Sequence, residues 1–157
     1  MELPLAKCES EIRLVRTDAE ARQAVKVLGR EGVLGFDTET RAAFKKGESY
    51  PPSLVQLAGA KATYLFMLNQ LEEIGGLEKV FAAPRIVKAG VALGRDVKEL
   101  REIKEFEPAG FAELEKVSDA RGVAANGLRG LVAIVLGRRL SKGAQRSNWA
   151  RTNLSPK

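Results

Sequence analysis

Polar and apolar positions alternate along EIRLV (11–15), which predicts a strand. Thr17 then stands three residues ahead of Glu20, a capping-box spacing that predicts a helix over DAEARQAVKVLGR (18–30). VLGFDTET (33–40) predicts the next strand. SLVQLAGA (53–60) and ATYLFML (62–68) predict two more, with Gly59–Lys61 as the turn between them. A helix is expected around IGGLEKVFAA (74–83), stopping before Pro84. RIVKAG (85–90) reads as a short buried strand. RDVKELREI (95–103) has helical spacing at Val97, Leu100 and Ile103, and GFAEL (110–114) reads as a strand. Asp119 reads as a helix start. GLRGLVAIVLG (127–137) predicts a mostly apolar helix ended by Gly137. Residues 138–157 show no clear period and read as extended and loop-rich.

Three strands joined as hairpins, followed by alternating helices and strands, predict an α/β layer fold with a mixed central sheet flanked by helices. No repeat or linker divides the chain, so residues 1–157 form a single expected domain with a basic tail over 137–157. FKKGESYPPS (44–53) is the longest break of turn composition. It follows the carboxylates of VLGFDTET directly and is a candidate mobile loop.

Composition narrows the chemistry. A chain of 157 residues, 45% apolar and 29% charged, suits one globular domain with a sizeable core. No apolar run approaches the roughly 20 residues of a membrane span, so no membrane partner is expected. MELPLAKCES carries no secretory pattern, and the single Cys8 forms no internal disulfide; a reducing, cytoplasmic setting is expected. The chain has no histidine. That excludes Ser-His-Asp and Cys-His catalysis and His-ligated zinc, and leaves any metal to oxygen ligands, which suit Mg²⁺, Mn²⁺ or Ca²⁺. The net charge of +6 is one-sided. All 20 acidic residues precede Arg121, whereas Arg121, Arg129, Arg138, Arg139, Lys142, Arg146, Arg151 and Lys157 follow with no acid among them. Such a segment suits a polyanionic partner, or equally a solvated basic face.

VLGFDTET poses the sharpest question. Strand alternation points Gly35, Asp37 and Glu39 one way and Phe36, Thr38 and Thr40 the other. Two carboxylates on one face, roughly 7 Å apart by the strand rise, repel each other. A divalent cation between them would remove that repulsion; alternatively, the strand simply ends in solvent with both acids hydrated. Asp96, after a strand and a glycine-containing turn, adds a third carboxylate. Its spacing from Glu99 also fits a helix N-cap pair. Trp149, between Arg146 and Arg151, suits either a stacking platform for single-stranded nucleic acid or a core anchor for the tail.

Taken in order, FDTET, SLVQLA, KAGVALGRDVKEL, GLRGLVAIVLGRRL and RSNWARTNLSP resemble the DEDD superfamily of 3′–5′ exonucleases on a ribonuclease-H-like fold. Within it the chain is most similar to the ribonuclease D and Werner-helicase-exonuclease group. The resemblance runs from about Glu11 onward. It implies that Asp37, Glu39 and Asp96 are catalytic metal ligands for two Mg²⁺ or Mn²⁺ ions, with Asp37 bridging both. It further implies hydrolysis of the terminal phosphodiester to release nucleoside 5′-monophosphates from single-stranded DNA or RNA 3′ ends. Thr38, Arg146, Trp149 and Arg151 are then candidate nucleic-acid-binding residues. Phe36 and Leu93 are candidates to pack near the terminal nucleotide, and Glu113 occupies a position often acidic in the family.

The resemblance also shows a departure. The family carries a third motif of the type YAAxDA shortly after the SNW segment, and no residue up to Lys157 matches it; Tyr50 and Tyr64 lie elsewhere. We therefore expect a C-terminally truncated member with weak or no turnover. The alternative is a non-catalytic nucleic-acid-binding fragment, or one that forms a homodimer through exposed apolar surface.

Overall fold

The computed structural model describes residues 2–125 and 127–141. Its strands are β1 (Glu11–Val15), β2 (Val33–Thr40), β3 (Pro52–Ala58), β4 (Ala62–Met67), β5 (Val87–Gly90) and β6 (Phe111–Glu113). They form one sheet in the order β1-β4-β3-β2-β5-β6. β3 pairs antiparallel with β2 and β4, while β1–β4, β2–β5 and β5–β6 are parallel, so β3 alone runs against the others. This is the expected mixed α/β architecture with helices flanking the sheet.

The helices are α1 (Asp18–Leu28), α2 (Glu78–Phe81), α3 (Leu93–Ile103), α4 (Leu114–Asp119) and α5 (Gly127–Leu136), with a 3₁₀ turn over Leu68–Gln70. The capping box at α1 is present: Glu20 N donates to Thr17 Oγ1 at 3.2 Å, and Thr17 N donates to Glu20 Oε2 at 3.1 Å. α2 is much shorter than the predicted 74–83, because Gly75 and Gly76 adopt positive φ and no helix runs through them. α3 begins two residues earlier than predicted. Asp119 closes a helix rather than opening one, since the chain turns directly from β6 into the short α4. α5 ends as predicted, before Gly137 at φ 61°. Among the described residues no helix is long and apolar enough to cross a membrane.

The core lies on one face of the sheet. Leu34 and Phe36 of β2, Val55 and Leu57 of β3, and Tyr64 and Phe66 of β4 meet Ala21, Ala24 and Leu28 of α1, Phe81 of α2 and Leu93 and Leu100 of α3. Phe36 sits at its centre, edge-on to Phe81 and Phe111 with ring centroids 5.5 Å away in each case. β5 must come close to β2 for this packing. A Cβ on Gly90 would lie 2.4 Å from the Phe36 carbonyl oxygen and 2.7 Å from Leu93, so only glycine allows the approach.

Lys88 on β5 is fully buried within this layer. Its Nζ donates to the Ala83 carbonyl at 2.9 Å and stands 5.1 Å from the Phe111 ring centroid. Burial pushes its amine down to about 8 from 10.5. The unfolded chain therefore holds this proton more tightly than the folded one between those pH values. The cost of the buried charge is fully present below pH 8 and is relieved as pH rises toward 10.5. Lys88→Met is expected to stabilise the protein by about 1–3 kcal/mol at pH 7 and to flatten the rise in stability across pH 8–10.5, as read from urea denaturation at stepped pH.

Candidate metal and nucleic-acid site

β2 alternates as its sequence predicts: Leu34, Phe36 and Thr38 are buried, and Gly35, Asp37 and Glu39 occupy the opposite face. The carboxylates thus stand on the side of the sheet away from the main core. The pairing with β3 holds from Gly35 to Glu39, setting Asp37 opposite Gln56 and Glu39 opposite Leu54. It then skips one residue of β3, setting Thr40 opposite Pro52, so a bulge lies just beyond the second acid. Asp37 lines a groove of about 500 Å³ together with Gln56, Gly90, Leu114 and Leu128.

Thr38 links this strand to α3. Its hydroxyl donates to Asp96 Oδ1 at 2.7 Å, while its backbone N–H donates to Asp37 Oδ1 at 2.9 Å. One residue thereby ties two of the three predicted carboxylates together from opposite sides of the strand. Thr38 itself is only 9% exposed and its hydroxyl is committed to Asp96. Its side chain therefore positions Asp96, and the expected contact with nucleic acid concerns its backbone. Phe36 and Leu93, each 5% exposed, belong to the core rather than to a nucleotide surface.

Asp96 lies in the first turn of α3 and does not cap it. The cap position is Ala92, held in the left-handed conformation at φ 57°, ψ 47°, which a non-glycine residue adopts at a cost. Glu113 at the end of β6 holds it there: its two carboxylate oxygens accept from Ala92 N and Leu93 N, each at 3.0 Å. Asp96 is thus free to face Thr38 because an acid from another strand serves the helix N-terminus. Sequence reasoning underestimated Glu113. The signals were its place at a strand end and its match to a position often acidic in the family.

The electrostatics suit a site that takes a cation. Burial raises the Asp37 carboxyl above its ordinary range, and the Asp96 charge adds to the rise. Burial likewise raises Asp96, against the lowering effect of the Thr38 hydroxyl. Glu39 is pushed up to about 7, first by burial and then by the charges of Asp37 and Asp96. Among the described residues no ion pair joins any of the three to a lysine or arginine. Half-buried carboxylates whose ionised forms are disfavoured by burial and by a neighbouring acid suit a hard divalent ion. The arrangement is nevertheless open, since among the described residues no three Asp, Glu, Cys or His side chains are gathered closely enough to hold a metal ion as they stand. Arg146, Trp149 and Arg151 lie outside the described residues.

Comparison with known proteins identifies the family. A family model described as 3′–5′ exonuclease matches residues 12–157. The chain belongs to that 3′–5′ exonuclease family. Its fold is similar to the exonuclease domain of Nibbler from Aedes aegypti, with a TM-score of 0.83 and 24% identity over 97% of this chain and 80% of that one. It is also similar to RNase D from Escherichia coli, an exoribonuclease involved in structured RNA processing, with a TM-score of 0.81, 17% identity, and coverage of 92% of this chain and 38% of that one. RNase D from Trypanosoma brucei in complex with RNA U12 aligns with a TM-score of 0.80 and 20% identity over 94% of this chain and 56% of that one. The chain therefore spans well under two thirds of either RNase D. Among curated proteins none matches the sequence.

Four outcomes follow from this geometry. A raised carboxylate pKa means that the folded protein holds a proton the unfolded chain releases, so the penalty at Glu39 grows from pH 4.5 to 7 and is fully present above 7. Glu39→Gln is expected to stabilise the metal-free protein by about 1 kcal/mol at pH 8 and by less at pH 5, the figure being reduced for partial solvent screening. Thermal scans should also show Mg²⁺ or Mn²⁺ raising the Tm of the wild type more than that of Glu39→Gln. Separately, Glu113→Ala is expected to cost about 1–2 kcal/mol in urea denaturation, the range for a lost helix cap. Ala92→Gly should recover part of that loss, because glycine adopts the left-handed conformation without strain.

Proposed function

We propose that this chain is the core of a metal-dependent exonuclease that removes nucleoside 5′-monophosphates from the 3′ ends of single-stranded DNA or RNA. One observation carries the reading: at the end of β2 Asp37, Glu39 and Asp96 are half-buried, burial raises the pKa of all three, the Asp96 charge raises Asp37 and Glu39 further, and among the described residues none of them is in an ion pair. Family membership supports the reaction class, and the RNA complex of T. brucei RNase D supports the class of substrate.

In this reading Asp37 and Glu39 offer oxygen ligands from β2, and Asp96 offers a third from α3. Thr38 holds Asp96 in register with the strand, and Glu113 fixes the helix that carries it. Bound Mg²⁺ or Mn²⁺ would supply charge neutralisation at the scissile phosphate and an activated water. The protein's own contribution is placement: a stiff strand, a hydrogen-bonded threonine and a capped helix hold the ligands before substrate arrives. The open arrangement of the acids favours a second reading, a domain that binds nucleic acid with little turnover.

The deciding measurement uses 5′-labelled single-stranded RNA and DNA with Mg²⁺ or Mn²⁺. The expected result is a ladder shortening from the 3′ end, abolished by EDTA and reduced at least about 100-fold by Asp37→Ala. Degradation insensitive to both would overturn the proposal. Binding without any shortening would favour the second reading.

A further inference from the structure

Directly beyond β2 the chain enters the segment 41–51, which has no regular structure apart from a turn around Lys46 and Gly47. Phe44 in this segment is 88% exposed, the most exposed large apolar side chain among the described residues. Such a ring in water is costly, and nothing in the core calls for it. Its surroundings are cationic: Arg41, Lys45 and Lys46 stand within three residues of it, and all three are exposed. Arg41 also lies over the Tyr50 ring, 4.8 Å from its centroid, which closes the base of the segment. The single acid, Glu48, is turned inward on the loop, where its carboxylate accepts from Phe44 N at 3.3 Å and Lys45 N at 3.4 Å. Glu48 therefore shapes the turn that presents Phe44.

We propose that Phe44 is a stacking platform for a base of single-stranded nucleic acid, with Lys45 and Lys46 contacting the adjoining phosphates. An exposed aromatic ring set among cations is the combination that holds single strands with little sequence preference. Position supports it as well. Phe44 is four residues past Thr40, which ends the carboxylate strand, and so lies within roughly 14 Å of that strand end. A strand seated on Phe44 would have its terminus a short distance from Asp37 and Glu39. This inference rests on the proposed exonuclease reading for the direction of the strand, but the contact itself is a binding property and is measured without turnover.

The test is fluorescence anisotropy of labelled single-stranded RNA and DNA on the full chain, with EDTA present to prevent hydrolysis. Phe44→Ala is expected to weaken binding about 5–100-fold, the range for loss of one base–aromatic stack, and Phe44→Trp to restore it. Lys45→Ala with Lys46→Ala should reduce the slope of log affinity against log salt by between one and two. Circular dichroism of each variant should match the wild type, as expected for an exposed loop. A set of oligonucleotides with one abasic position stepped inward from the 3′ end adds a specific signature: one position should weaken binding to the wild type and leave Phe44→Ala unchanged. Equal affinity of wild type and Phe44→Ala, or failure of Phe44→Trp to rescue, would overturn the inference while leaving the exonuclease reading intact. Normal stacking behaviour with no metal-dependent shortening of the same oligonucleotides would do the reverse. If the wild type binds neither RNA nor DNA, both fail.

Discussion

The contact on which the molecule depends is the meeting of two backbones at Phe36 and Gly90. With no side chain on Gly90, β5 lies against the β2 carbonyl, and Leu93 at the start of α3 lies against both. Everything that makes the acidic face follows from this approach. It sets the height of α3 relative to β2, and so brings Asp96 within hydrogen-bond reach of Thr38. It also presses the Phe36 ring between Phe81 and Phe111, which anchors the strand carrying Asp37 and Glu39. The site is therefore held from the core side, and its acids are placed by packing rather than by contacts among themselves.

That construction carries a stability cost. Three carboxylates are half-buried with no ion pair among the described residues, a lysine is buried in β5, and an alanine holds a left-handed turn. Each is unfavourable taken alone. Each sits on the path between β2, β5 and α3, where the acids are positioned. Strain and unpaired charge concentrated in one corner of a well-packed domain are features of a functional site, and they support the metal-binding reading from a direction independent of family membership.

Much of this was legible in the residues. The alternation in VLGFDTET set the faces of β2, and Thr17 with Glu20 marked the start of α1. The hairpin signals around Gly59 identified the antiparallel centre of the sheet. What stayed hidden depended on contacts between distant segments. The N-cap pattern at Asp96 and Glu99 is locally sound, yet Glu113 from β6 takes over the helix end and leaves Asp96 to Thr38. Strand alternation places Thr38 on the face opposite the two acids, but not the crossing of its hydroxyl to Asp96 on α3. The paired glycines at 75 and 76 shorten α2 because both take positive φ, a choice that the surrounding apolar spacing does not reveal.

The strand order has a further consequence, for how the chain folds. β2, β3 and β4 are neighbours in sequence as well as in space, so their hairpins can form early from local contacts. Joining Thr38 to Asp96 instead spans 58 residues, and docking β1 against β4 spans about 50. Those closures bear the larger loop entropy and should come late. The acidic corner is then among the last parts to assemble, and the chain passes most of its folding time with its carboxylates still apart and hydrated.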